Sequence, residues 1–197
     1  EGMGATLLIF VLTLVFSMPL GLPLTAMRMS KIKVLQWIAK IYISIMRGTP
    51  LMLQLLVVFY GPYYIFKIKL PYEYRFYAVI IGFALNYAAY FAEIYRGGIE
   101  SMPVGQYEAA KILGYNRVQT FFRIILPQMV KRVLPSVTNE VITLVKDTSL
   151  ASVIGTVEMF TRAKQIAVAP NSPGMLAFAA AAVFYFVFNS LVAFAME

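Results

Sequence analysis

Cysteine and histidine are missing from this sequence altogether. With them go disulfides, thiol nucleophiles, imidazole general bases and the common zinc-ligand sets. Acidic residues are scarce as well, nine in 197, and the only aspartate is Asp147. No two carboxylates fall in an arrangement that suggests an acid–base pair, so an enzyme would have little to work with. The phosphate-cradling pattern G-x-x-x-x-G-K-[ST] is also missing.

What is present is apolar. Hydrophobic residues make up 60% of the chain and charged ones 13%, against about 25% charged in ordinary soluble domains. Mean hydropathy is +0.75. These values describe a polytopic membrane protein, and no linker or low-complexity tract divides residues 1–197, which read as a single domain. The net charge of +8 would suit nucleic acid in a soluble protein, but in a lipid-embedded chain Lys and Arg set topology. Nucleic acid is therefore not an expected partner, whereas the lipid bilayer is. No basic region precedes the first apolar run, so no cleavable signal peptide is read there, and short polar tails are expected beyond both ends.

A spanning helix needs about 20 mostly apolar residues. Five segments qualify: Gly2 to Met27, bent by Pro19 and Pro23; Gly48 to Phe66; Phe76 to about Arg96; Pro127 to Val145, interrupted by Glu140; and Gly174 to Met196. The expected fold is all-α, a membrane bundle of about five transmembrane helices. Between the first two spans, "VLQWIAKIYISIM" places Val34, Leu35, Ile38, Ile41, Tyr42 and Ile45 on one stripe and Gln36, Lys40 and Ser44 on another face. That is an amphipathic helix for the membrane surface or the bundle's flank. Thr49 is then expected to cap the next helix, with Pro50 in its first turn.

Charge asymmetry orients the bundle. Residues 28–47 hold five Lys or Arg and residues 96–132 six, against three in residues 67–75 and three in residues 146–164. The first two segments are placed in the cytoplasm, the N-terminus outside and the C-terminus inside. The aromatic clusters "FYGPYYIF" and "PYEYRFY" mark the opposite boundary.

The cytoplasmic loop, about 97–126, carries the most specific pattern. Pro103 opens a short helix holding Glu108, Ala109 and Ala110, and Gly114 is expected to end it in a left-handed conformation. Asn116 then caps a second helix with Gln119 three residues on, as in a capping box. Local chemistry thus gives helix, sharp turn, helix, held outside the bilayer. Glu-Ala-Ala alone is common in solvated helices. The longer pattern, Glu108-Ala109-Ala110, Gly114, Ile124, Leu126 and Pro127, resembles the EAA signature of the membrane-spanning subunits of ABC importers. "RGTPLMLQL", "AAYFAEIYRGGI" and "VKDTSLASVIG" extend the resemblance to the polar-amino-acid uptake permeases of that superfamily.

The resemblance implies an importer of two permease subunits, a second copy or a related chain beside this one. It also implies a cytoplasmic ABC ATPase dimer, an extracytoplasmic amino-acid-binding protein and an amino acid as cargo. This chain would hold no cofactor, ATP and Mg residing on the ATPase. Glu108, Ala109, Ala110, Gly114, Tyr115 and Arg117 would seat in an ATPase groove as a coupling helix in a bacterial cytoplasmic membrane. A self-contained carrier or channel for small polar solutes is the alternative.

Polar groups at membrane depth are costly and often mark a pathway. A zwitterionic cargo needs an acceptor for its ammonium and donors for its carboxylate. Glu158 is the first candidate acceptor, with Asn86, Asp147, Thr148 and Ser149 as accessory groups and a helix start near Thr148 for the carboxylate. Each has a plainer reading: Glu158 paired with Arg162, Asn86 bonded to a neighbouring helix, Thr148 and Ser149 as caps, Asp147 as loop structure. Glu93 and Arg96, three apart, read as an ion pair. "SVIGTVEMFTRAKQIA" reads as one partly inserted helix before "APNSPG" turns the chain.

Overall fold

A computed structural model describes residues 2–170 and 174–196, and among them there is helix and no strand. The order is α1 (Gly2–Arg28), α2 (Lys33–Gly48), α3 (Leu51–Phe66), α4 (Tyr74–Glu100), α5 (Val104–Ile112) and α6 (Arg117–Thr120). A π-helical turn over Phe121–Ile125 leads into α7 (Leu126–Asp147), a 3₁₀ segment over Thr148–Ile154, α8 (Met159–Ala167) and α9 (Gly174–Met196). The turn expected at "APNSPG" lies partly outside the described residues.

The centre of the bundle is α4, packed against α1, α2, α3 and α7. Small residues let its neighbours come close, as membrane helices require when lipid competes for every apolar contact. A Cβ on Gly21 of α1 would lie 3.0 Å from Cβ of Phe91, and one on Gly98 of α4 would overlap Val133 of α7 at 2.3 Å. Thr25 bonds both its own helix, at Gly21, and the Ala92 carbonyl of α4 at 3.0 Å. The core is aromatic and aliphatic, with Phe83, Tyr87 and Phe91 almost completely enclosed.

The five expected spans all fold as helices, yet they are not equivalent. Among the described residues three are long and apolar enough to cross a bilayer, α1, α4 and α9, or four if α2 and α3 count as one broken span bent by 109°. The reasons are length and polarity. At about 1.5 Å per residue the 16 residues of α3 reach only about 24 Å of a core about 30 Å thick. The 22 residues of α7 reach far enough but carry Lys131, Arg132, Asn139 and Glu140 along the way. Most of α9 is exposed along its apolar length, Ala181 being its one fully enclosed side chain among the described residues. Together with α1, it makes the chain a multi-pass membrane protein.

Further local features have local causes. The stripe of Val34, Ile38, Ile41 and Ile45 on α2 faces away from the bundle, together with Trp37, while Ala39 and Ile43 face inward. Thr49 closes α2 rather than opening α3: its hydroxyl donates to the Ile45 carbonyl, and extended Pro50 precedes α3. The stretch expected as one partly inserted helix is two short pieces, broken where Gly155 takes a φ of +75°. The π-turn before α7 went unexpected. Pro127 has no N–H and its ring crowds the carbonyl four residues back, so the chain widens there and the Leu126 N–H bonds the Phe121 carbonyl.

Candidate functional site

The loop between α4 and α7 folds as its local chemistry dictates. Gly114 has a φ of +74°, and its N–H bonds the Lys111 carbonyl while the Tyr115 N–H bonds the Ala110 carbonyl. This pair of bonds is the Schellman closure of a helix, which needs a residue tolerant of left-handed backbone. Asn116 and Gln119 then exchange side-chain and backbone bonds at 2.9 and 3.0 Å, a complete capping box at the start of α6. The outcome is a compact knuckle with Glu108, Ala109 and Arg117 exposed and Tyr115 half-buried. Ala110, expected on the open surface beside Ala109, instead packs fully inside the knuckle. Its tip is apolar: Ile112 is 86% and Leu113 72% exposed.

Two bonds bolt the knuckle to the bundle. Arg132 of α7 donates to the Ser101 carbonyl at the end of α4, at 2.6 Å, and Gln128 of α7 reaches Gln106 of α5 at 3.1 Å. Gly98 against Val133 adds the closest helix approach in the same region. These contacts link α5 and the end of α4 to α7.

The same two helices wall a polar cavity of about 360 Å³. Asn86, Tyr87 and Tyr90 project into it from α4, Glu140, Thr143 and Asp147 from α7, and Thr49, Pro50 and Leu51 close it at the α2–α3 corner. The Tyr87 hydroxyl donates to Asp147 at 2.7 Å, and Glu140 and Asp147 give the lining two acidic groups with no Lys or Arg among them. Asn86 donates to the Met46 carbonyl and to Gln54, which in turn bonds Thr49, fixing the corner against α4. A larger hollow of about 490 Å³ on the outer side of α3 is lined by Leu56, Val57, Tyr60 and Ile65 and offers a polar cargo almost nothing.

The sequence-derived pathway residues divide. Asn86 and Asp147 line the cavity; Glu158, Thr148 and Ser149 do not. Glu158 is completely enclosed and accepts from the Phe160 and Thr161 N–H groups, the Thr161 hydroxyl and the Tyr185 hydroxyl at 2.6–3.0 Å. It caps α8 and ties it to α9, which leaves its oxygens satisfied within the fold. Thr148 and Ser149 return their hydroxyls to the Val145 and Lys146 carbonyls, and the Thr148 N–H is already bonded to Leu144. The 3₁₀ segment therefore continues α7 and offers no free helix start to a carboxylate. Glu93 and Arg96 do pair, at 2.7 Å.

Tyr87, Tyr90 and Thr143 are absent from the sequence reading, and Glu140 stands there as a polar group of the fourth span without a role in the site. A signal existed for part of this set, since Glu140, Thr143 and Asp147 fall at i, i+3 and i+7, one face of a helix.

The chain is similar to known proteins in sequence and in fold. The family model for the "binding-protein-dependent transport system inner membrane component" matches residues 17–197. The L-cystine transport system permease protein TcyB of Bacillus subtilis is 41% identical over 165 residues, 84% of this chain and 69% of that protein. The arginine transport system permease protein ArtQ of the same organism is 37% identical, over 84% of this chain and 74% of that one. A crystal structure of an amino acid ABC transporter with histidines superposes with a TM-score of 0.87 at 33% identity, covering 99% of this chain and 89% of that one. The MetNI methionine transporter, at 18% identity and a TM-score of 0.72, shares the fold. The chain belongs to the family of binding-protein-dependent inner membrane transport components, as a permease subunit of an ABC importer.

Proposed function

We propose that this permease carries a polar amino acid through the cavity between α4 and α7, by alternating access driven from the α5–α6 knuckle. The observation that carries this reading is the placement of an acidic, polar-lined cavity and an exposed apolar-tipped knuckle on the same pair of helices. Asp147 and Glu140 accept the cargo's ammonium, with Asn86, Tyr87, Tyr90 and Thr143 as neutral hydrogen-bonding groups. The curated relatives named for cystine and arginine transport support an amino acid as the class of cargo.

Glu108, Ala109, Gly114 and Arg117, with the tip residues Ile112 and Leu113, seat in a groove of a cytoplasmic ATPase that binds ATP and Mg. Closure of that ATPase draws two knuckles together. Arg132–Ser101 and Gln128–Gln106 pass the movement to α4 and α7, so the cavity changes the side it faces. A second permease copy or a related permease completes the membrane unit, and an extracytoplasmic binding protein delivers cargo on the side away from the knuckle. The N-terminus lies outside and the C-terminus in the cytoplasm, as the excess of Lys and Arg in residues 28–47 and 96–132 favours.

Reconstitution tests this reading. The permease, its ATPase and its binding protein in proteoliposomes should accumulate a polar amino acid only when ATP reaches the ATPase. Accumulation driven by an ion gradient through the permease alone would replace the reading with a secondary carrier.

A further inference from the structure

The cavity between α4 and α7 has acidic groups for an ammonium, but no cation lines it to meet the carboxylate that every amino acid carries. A second cavity of about 460 Å³ adjoins it, sharing Tyr90, and its polarity is reversed. Arg28, Lys40 and Arg47 line it, with Ser44, Glu93 and Gly48. Its carboxylate is already committed, because both oxygens of Glu93 accept from Arg96 at 2.7–3.2 Å. Arg28 approaches Glu93 only to 3.7 Å.

Arg47 stands where the two cavities meet. Its guanidinium lies 5.2 Å from the centre of the Tyr90 ring, and none of the ion pairs among the described residues involves it. Tyr90 lines both cavities, so the Arg47 guanidinium of one lining and the Glu140 carboxylate of the other share this tyrosine as their common wall. The backbone is fixed at this point: Thr49, next but one to Arg47, and Met46, immediately before it, are both held by Gln54, and Met46 also by Asn86. A guanidinium that makes no ion pair among the described residues, set over an aromatic ring and backed by an anchored corner, is suited to bidentate recognition of a carboxylate.

We infer that Arg47, stacked on Tyr90, is the receptor for the α-carboxylate of the cargo, so that the acidic and basic cavities form one bipolar site for a zwitterion. This rests on the reading of the acidic cavity as the cargo site and adds a specificity-determining residue to it. The ammonium sits toward Glu140 and the carboxylate toward Arg47. Lys40 and Arg28 hold the basic side open to an anion as it departs. A compound with the ammonium but no carboxylate charge is then a poor ligand, because it leaves the guanidinium without a counter-charge and gains nothing for the displaced water.

The test compares ligands on one protein, which keeps folding defects from imitating the result. The permease–ATPase complex in lipid nanodiscs is titrated with the standard polar amino acids and cystine, and then with the α-amide of the tightest binder. Wild type should prefer the acid over its amide by about tenfold or more, the scale of one charged hydrogen-bonded contact. Arg47→Gln should bring the two within about twofold by weakening the acid alone, and Arg47→Lys should keep an intermediate preference. Glu140→Gln should weaken acid and amide alike. An undiminished preference in Arg47→Gln, with Glu140→Gln impaired, overturns the role of Arg47 and leaves the cavity intact as the cargo site. No binding of any amino acid to wild type overturns both.

Discussion

The Tyr87 hydroxyl donates a 2.7 Å hydrogen bond to Asp147, joining the central helix α4 to α7 in the lining of the polar cavity. Asp147 is the sequence's only aspartate, and it lines the cavity together with Tyr87. A bond to a charged group contributes about 1.5–3 kcal/mol, and Tyr87→Phe should lower the affinity for the transported amino acid by about tenfold or more, without loss of the folded complex. Equilibrium binding to the nanodisc complex checks this; unchanged affinity would mean that the pair only braces the helices.

Glu158 behaves differently. Its carboxylate holds the first turn of α8 and the Tyr185 hydroxyl of α9, away from the polar cavity. Glu158→Gln removes a charged acceptor from four donors and should destabilise the bundle by about 1–3 kcal/mol. A thermal unfolding scan should show a lower Tm, while KM for uptake stays at the wild-type value. A raised KM with an unchanged Tm would restore Glu158 to the cargo path.

Gly114 is constrained by its backbone and not by crowding: a Cβ there meets nothing within 4 Å, but φ is +74°. A β-branched residue would resist that conformation at a cost of about 1–2 kcal/mol and distort the knuckle. Gly114→Val should leave Tm of the permease within a few degrees of wild type and abolish cargo-stimulated ATP hydrolysis. Normal stimulation in that variant would remove the α5 terminus from the coupling path.

Gly98 is constrained by crowding. An added Cβ would overlap Val133 at 2.3 Å and Met129 at 2.9 Å, where α4 and α7 cross next to the knuckle. Gly98→Ala should cost about 1–3 kcal/mol by forcing the helices apart, visible as a lower Tm. Replacing Val133 with alanine in the same chain should recover part of the loss, since the two substitutions act on one contact.

Much of this was legible in the sequence. The capping box at Asn116, the left-handed Gly114 and the amphipathic α2 follow from rules acting over a few residues, and each stands in the fold. The EAA pattern and its companions carried the family. The cavity was half legible: Asn86 and Asp147 were identified as polar residues at membrane depth, but their company depends on how α4 and α7 are rotated against each other. Tyr87 and Tyr90 are unremarkable in an aromatic-rich helix until Asp147 and Arg47 lie beside them. Glu158 misled because a charge in an apolar stretch signals a buried role without saying which, and here the nearest donors were its own helix start. The π-turn before Pro127 was not read because it depends on a helix continuing through the proline rather than beginning there.

The central claim is that cargo passes the Asp147 cavity while a separate ATPase supplies the energy. Its most direct measurement is ATP-driven uptake of a radiolabelled polar amino acid by proteoliposomes containing the complete importer, wild type beside Asp147→Asn. The account predicts ATP-dependent accumulation by wild type and about a tenth of it or less by the variant, with the ATPase bound equally to both. Equal accumulation by the two, at matched protein and ATPase content, would contradict it.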